Sequence, residues 1–112
     1  MRIFINGFGR IGRSVLRAAL LGAAKDIEIV GINDIAAAEM CAYLFEFDSV
    51  FGVWHGDVGL EAGGLRIDGR VIPLHRAADI SALELKGVDV VLECTGRADA
   101  REMATRGLRA GA

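Results

Sequence analysis

Gly7-Phe8-Gly9-Arg10-Ile11-Gly12 spaces three glycines as G-x-G-x-x-G, and the residues on either side decide what that spacing means. Upstream, Arg2 to Asn6 is a short apolar run stopped by glycine, too short for a helix and suited to a buried parallel strand. Downstream, Ile11, Val15, Leu16, Ala18, Ala19 and Leu20 recur at helical spacing until Gly22 offers a C-terminal stop. A strand that turns at once into a helix gathers unpaired backbone N–H groups and the positive end of the helix dipole at one point, which suits an anion. The glycines then have separate steric jobs. Gly7 permits the tight turn, Gly9 removes a Cβ from the anion's approach, and Gly12 lets the helix lie close on the strand.

Further along, Ile27 to Ile32 is rich in β-branched residues and nearly continuous in hydrophobicity, as a strand covered on both faces must be, and it ends at Asn33-Asp34. Ala36 to Phe47 predicts a second helix with apolar positions Met40, Ala42, Tyr43, Leu44 and Phe47; Met40, Tyr43, Leu44 and Phe47 are read as a core-facing stripe in preference to a partner-binding one, and Cys41 as a small core residue. Asp48-Ser49 breaks that pattern. Between Val50 and Leu74 glycines recur at Gly52, Gly56, Gly59, Gly63-Gly64 and Gly69, so pieces such as Leu65-Arg66-Ile67 and Val71-Ile72 read as small antiparallel strands with tight turns. Asp79 to Leu85 reads as a short helical turn, Val88 to Leu92 as another buried strand closed by Glu93-Cys94-Thr95-Gly96, and Asp99 to Arg109 as a final helix.

The acidic residue that ends the second strand, Asp34, lies about 20 residues beyond the glycine turn, where a carboxylate can accept hydrogen bonds from both hydroxyls of an adenosine ribose. The anion at the turn is then the pyrophosphate of a dinucleotide, and a carboxylate at Asp34 repels a 2′-phosphate, which favours NAD over NADP. The competing role for Asp34 is to cap the next helix. At the turn the backbone N–H groups of Arg10 and Ile11 are the expected donors; the Arg10 side chain adds charge or is simply solvated, and Asn6 braces neighbouring backbone. The order of elements predicts an α/β fold, a Rossmann-type parallel sheet flanked by helices with right-handed crossovers and a small antiparallel insertion. The alternation would feed another strand after Gly111-Ala112, so residues 1–112 are read as one incomplete dinucleotide-binding domain, truncated before the later strands and a catalytic domain.

Composition narrows the partners. Of the 112 residues 53% are apolar and 25% charged, the balance of a chain that folds, and a net charge of −2 with scattered basic residues gives no footprint for nucleic acid or for an anionic membrane surface. No apolar run approaches the roughly 20 residues of a membrane span and Met1-Arg2 leads into a strand rather than a signal peptide, so a cytoplasmic protein is expected. Cys41 and Cys94 have neither CxxC spacing nor a neighbouring His, which reads as two free thiols and no metal site. Glu93 beside Cys94 raises a thiol pKa, which argues against a nucleophile there. His55 and His75, in or beside the glycine-rich segment, are assigned turn or surface roles; Trp54 fits either a cover for the sheet or a subunit interface.

Ile5-Asn6-Gly7-Phe8-Gly9-Arg10-Ile11-Gly12-Arg13 resembles the opening signature of phosphorylating glyceraldehyde-3-phosphate dehydrogenases. Ile32-Asn33-Asp34, Phe47-Asp48-Ser49-Val50 with Gly52, and Glu93-Cys94-Thr95-Gly96 resemble later segments of the same family in the same order, so the likeness covers essentially the whole chain. The resemblance implies NAD across the carboxyl ends of the parallel strands, with Arg10 and Ile11 at the pyrophosphate, Asp34 at the adenosine ribose, Arg76 near the adenine, and Thr95 and Gly96 on the path to the nicotinamide. It implies homo-oligomers as well, tetramers in the intact protein. Erythrose-4-phosphate dehydrogenases share the opening but typically carry Glu at the position of Asp34. Phe51 where the family usually has His, Arg97-Ala98 in place of an aromatic, and Ala77-Ala78 after Arg76 depart from the pattern.

The family's chemistry uses a cysteine nucleophile, a histidine base and phosphate-binding residues from a Ser-Cys-Thr-Thr-Asn-like segment and a later domain, and none of these occurs in the sequence, so no residue is assigned a catalytic role. Binding of cofactor without turnover is the expectation for this chain. The alternatives are a stand-alone dinucleotide-binding or interaction module, and a partnership with a separate catalytic polypeptide.

Overall fold

The computed structural model describes residues 1–22, 27–48, 52–77, 80, 83 and 85–94. Strand β1 (Arg2–Asn6) is central, with parallel β2 (Glu28–Asn33) on one side and parallel β8 (Val90–Glu93) on the other. Its apolar run is continuous because both faces are covered. Ile3 and Ile5 point into a core shared with Leu16, Ile32, Phe45 and Leu65, while Phe4 points the opposite way to meet Ile80 and Leu85. The β1–β2 ladder slips between Ile3 and Phe4, where the pairing jumps from Ile29 to Gly31. Gly31 makes room there, since a Cβ on it would stand 2.8 Å from the Phe4 ring.

Helix α1 (Arg10–Leu20) follows β1 directly and ends with Leu21 and a left-handed Gly22 (φ +78°), the expected stop. It rests on the sheet at Gly12 and Leu16. Helix α2 (Ala38–Glu46) starts two residues later than Ala36 and buries a different face from the predicted one. Cys41 and Phe45 are its buried residues, whereas Met40, Tyr43 and Phe47 are 51%, 58% and 47% exposed. Both stripes are apolar, so periodicity alone does not choose between them; Phe8 and Trp54 do, packing against Phe45 with ring centroids 6.3 and 5.2 Å away. Phe47 leaves the helix for a two-residue strand β3 (Phe47–Asp48) paired antiparallel with β4 (Gly52–Val53).

The glycine-rich segment forms the expected antiparallel strands, β5 (Val58–Glu61), β6 (Gly64–Ile67) and β7 (Arg70–His75). Two-residue turns with positive φ at both positions join them, Ala62-Gly63 and Asp68-Gly69. The last strand extends beyond the expected Val71-Ile72 and does more than close the insertion. Its end, Leu74 and His75, pairs parallel with Ile32 and Asn33, which makes β7 the third parallel strand beside β1 and gives one sheet in the order β5-β6-β7-β2-β1-β8. Pro73 carries no N–H, and the parallel ladder begins only after it, so the sequence shows a short antiparallel piece where a longer dual-purpose strand exists. Between β7 and β8, Leu83 N–H donates to the Ile80 carbonyl in a turn, as expected for that stretch at its described positions. Asp79 and the helix expected over Asp99 to Arg109 lie outside the described residues.

Going outward from β1, the chain moves first to β2 and β7 on one side and then crosses to β8 on the other. The strand order therefore reverses between β1 and β8, and in open α/β sheets ligands bind at such a point, outside the carboxyl ends of the strands.

Candidate functional site

The glycine turn stands at that reversal. Gly7 is left-handed (φ +101°) and its N–H donates to the Asn33 carbonyl at 2.7 Å, tying the turn to the end of β2. A Cβ on Gly12 would collide with the Gly7 carbonyl and come within 3.0 Å of Ile5 Cγ2, so this glycine is required by the contact of α1 with β1. Gly9 differs from both. Its φ is −80°, and the nearest atom to an added Cβ is the Cys94 carbonyl oxygen at an ordinary 3.7 Å.

Gly9 is also the N-cap of α1, so no side chain caps the helix, and its first turn contains no acidic residue. The first intrahelical bond runs from Arg13 N–H to the Gly9 carbonyl at 2.9 Å. The N–H groups of Arg10 and Ile11 therefore belong to the donors without an intrahelical partner at the helix start, with the Arg10 side chain exposed and Ile11 68% exposed.

Asp34 reaches the turn from the end of β2. One carboxylate oxygen accepts from Phe8 N–H at 2.7 Å and the other from Ala36 N–H at 2.8 Å, while Asp34 N–H donates to the His75 carbonyl. The helix cap is Ala37, so Asp34 caps a turn before α2 rather than α2 itself. Each oxygen keeps a second lone pair. Arg76 follows β7, exposed, and donates to the Ile35 carbonyl at 3.3 Å; it lines a largely apolar cavity of about 370 Å³ with Ala38, Leu60, Gly63 and Leu74. Gly7, Gly9, Arg10, Ile11, Gly12, Asp34 and Arg76 thus all lie along the carboxyl ends of β1, β2 and β7. Thr95 and Gly96 lie outside the described residues, as do Phe51, Ala78 and Arg97.

Phe8, an unspecified position in the glycine spacing, anchors the turn. Its ring is buried against Phe45, its N–H is held by Asp34, and its carbonyl accepts from Arg13 Nη1 at 3.3 Å. Arg13 points inward rather than to the helix start. Its Nε lies 3.9 Å from the largely buried carboxylate of Asp48. A second set of residues lies beneath the turn: Asn6 Nδ2 donates to both oxygens of Glu93, and Asn33 Nδ2 donates to Asn6 Oδ1 and to the Ala77 carbonyl. Among the described residues the Asn6 side chain bonds other side chains, those of Glu93 and Asn33, rather than the neighbouring backbone. An aromatic inside the glycine spacing and polar residues closing three apolar strands are the signals that point to these residues.

Cys94 is half-buried, with its N–H on the Asn6 carbonyl, and burial first, then the charge of Glu93, pushes its thiol pKa up. Cys41 is buried in the core, its pKa raised to about 11 by burial first and Asp34 second. Neither is poised to act as a thiolate. His75 is half-buried with its ring 5.9 Å from that of Phe4, His55 is exposed, and Trp54 covers Phe45 while its Nε1 donates to Asp68. No group of His, Cys, Asp and Glu among the described residues could hold a metal ion, and no helix among them is long and apolar enough to cross a membrane.

A parallel sheet that reverses its order beside a glycine turn and an uncapped helix start defines the dinucleotide-binding class of α/β domain. Comparison with known proteins is specific within that class. Residues 1–101 match the family model described as glyceraldehyde 3-phosphate dehydrogenase, NAD binding domain. The whole chain is 45% identical to glyceraldehyde-3-phosphate dehydrogenase of Bacteroides fragilis, covering 34% of that protein, and 44% identical to that of Pseudomonas aeruginosa, again covering 34%. With the enzyme of Xanthobacter flavus the identity is 46% over all of this chain and 34% of the relative. The chain belongs to the glyceraldehyde 3-phosphate dehydrogenase NAD-binding domain family, and NAD is its cofactor. It spans about a third of the length of the curated relatives it matches.

Proposed function

We propose that residues 1–112 are the cofactor-holding part of a phosphorylating glyceraldehyde-3-phosphate dehydrogenase, binding NAD without catalysing its reduction alone. The observation that carries the reading is Gly9. Neither its backbone angles nor its neighbours among the described residues require glycine, so the space its missing Cβ leaves is explained by a ligand that approaches the backbone closely. In this reading the pyrophosphate lies on the turn from Gly7 to Gly12 and takes the N–H groups of Arg10 and Ile11. Asp34 accepts from the adenosine ribose hydroxyls with its remaining lone pairs, Arg76 lies beside the adenine, and Thr95 with Gly96 borders the nicotinamide end. NAD supplies the hydride acceptor; what these residues supply is its orientation over the strand ends.

The covalent chemistry of aldehyde oxidation to an acyl phosphate belongs to the complete protein, which we read as a cytoplasmic, homo-oligomeric enzyme, with sedimentation of the full-length protein as the measurement for the assembly. For the chain itself the direct experiment is a thermal melt with and without NAD. Millimolar NAD is expected to raise the Tm by several degrees, about what a ligand present at many times its Kd gives a domain of this size. An unchanged Tm, with no heat in calorimetric titration, rejects the binding reading.

A further inference from the structure

Asn6, Asn33 and Glu93 are the last residues of β1, β2 and β8, and their side chains form a row across the sheet under the glycine turn. The direction of the hydrogen bonds in that row is forced. At one end Ala77, after β7, offers backbone groups of fixed polarity: its N–H donates to Asn33 Oδ1 at 2.8 Å and its carbonyl accepts from Asn33 Nδ2 at 2.9 Å. The Asn33 amide is thereby pinned, and the same Nδ2 must find an oxygen on Asn6, which it does at 2.9 Å. Asn6 then has only its NH₂ left to turn towards β8, so the residue there must be an acceptor. Glu93 meets it with both carboxylate oxygens, at 3.0 and 3.3 Å. Asn6 and Asn33 are each 3% exposed, so water does not readily substitute for either bond.

Two of the three immediately precede a piece of the site, Gly7 after Asn6 and Asp34 after Asn33, and Glu93 stands two positions before Thr95 in the sequence. Main-chain bonds join the same positions, Gly7 N–H to the Asn33 carbonyl and Cys94 N–H to the Asn6 carbonyl. We propose that Glu93 is a positioning residue for the cofactor turn: as the carboxylate acceptor that the Ala77–Asn33–Asn6 row requires, it fixes the strand ends in the register that presents Gly7 and Asp34 to the dinucleotide. The proposal rests on the reading of the turn as the NAD site. It adds that the facing positions Asn6 and Glu93 hold one donor and one acceptor between them, so that a carboxylate fits at either position but not at both.

Moving the charge is the test. Asn6→Asp sets two carboxylates face to face, while Glu93→Gln with Asn6→Asp restores one charge and one donor, with the glutamine NH₂ pointing back to the new carboxylate. A like-charge pair raises a carboxyl pKa. The penalty in N6D is therefore present above the raised pKa and lost as the pH falls through it, when one proton is shared between the two groups. NAD affinity of N6D should fall about tenfold or more near pH 8 and recover towards about pH 5, whereas N6D/E93Q should stay within about threefold of the wild-type profile throughout. Among the described residues the charged and titratable groups around the row include Cys94 after β8, Asp34 after β2, His75 and Arg76 at the end of β7 and Arg13 on α1; all are common to the variants, so the wild-type profile is the baseline. Amide hydrogen exchange at Gly7 and Ala77 is read in parallel without cofactor and should quicken in N6D and return in the double variant. If the wild-type chain binds no NAD, the cofactor reading fails and exchange alone judges the row. An N6D chain that does not fold at pH 8 supports the proposal when N6D/E93Q folds, and overturns it when the double variant does not. A pH-independent N6D, or a double variant no better than N6D, overturns it as well.

Discussion

Gly9 and Gly12 belong to the same turn, yet a methyl group added to each meets different surroundings. At Gly12 it meets the Gly7 carbonyl and Ile5; at Gly9, among the described residues, it meets only the Cys94 oxygen at contact distance. Gly12→Ala is expected to cost about 1–3 kcal/mol by pushing α1 off β1, whatever the ligand. Gly9→Ala should leave the Tm of the free chain within a few degrees, because φ near −80° suits alanine and the unfolded chain loses freedom. It should nevertheless weaken NAD binding at least tenfold, on the order of 1.4 kcal/mol. Melts with and without NAD separate the two effects, and a Gly9→Ala chain that still responds fully to NAD removes the main support for the site. The distinct jobs of these glycines are legible in the sequence because the spacing G-x-G-x-x-G ties each to a place in the turn. The hold of Asp34 and Arg13 on the Phe8 backbone is not legible there, since a hydrogen bond to a main-chain group places no demand on the type of residue that carries it.

Helix α2 shows the same limit for an element. Its existence follows from propensity, but two apolar stripes compete, one through Cys41 and Phe45 and the other through Met40, Tyr43 and Phe47. The choice is made by partners remote in sequence, Phe8 in the glycine turn and Trp54 after β4, which no local period contains. Strand β7 likewise looks too short in the sequence because Pro73 interrupts it, and the parallel pairing that unites insertion and sheet follows the interruption. The energetic consequence for α2 is direct. Phe45→Ala removes a buried ring between two aromatic neighbours and is expected to cost about 3–5 kcal/mol, whereas Met40→Ala on the exposed stripe should fall within about 0.5 kcal/mol of wild type. Urea unfolding of the two variants measures both, and equal losses would mean that the helix packs by the other stripe.

In the proposed reading the sheet as a whole divides the cofactor among its strands. With the order β7-β2-β1-β8, Arg76 and Asp34 stand at one end of the row of carboxyl termini, the glycine turn in the middle, and the segment beyond Glu93 on the far side of the reversal. A dinucleotide laid along that row as proposed would have adenosine over β7 and β2, pyrophosphate over β1 and nicotinamide towards β8. Every proposed contact on a described residue then falls on the ADP-ribose portion. ADP-ribose is accordingly expected to bind this chain within about threefold of NAD, since the nicotinamide ring adds little to what the chain grips. NADP differs from NAD only by a 2′-phosphate, which would face Asp34, whose oxygens are already held by Phe8 and Ala36 N–H groups and are not free to swing away. Two negative groups in contact there should weaken NADP at least tenfold relative to NAD, and the discrimination should shrink as salt screens the pair. Isothermal titration of the three compounds at low and high ionic strength reads both ratios. Equal affinity for NAD and NADP would exclude Asp34 from the ribose, and an ADP-ribose affinity more than tenfold below that of NAD would move the weight of binding to the β8 side of the sheet.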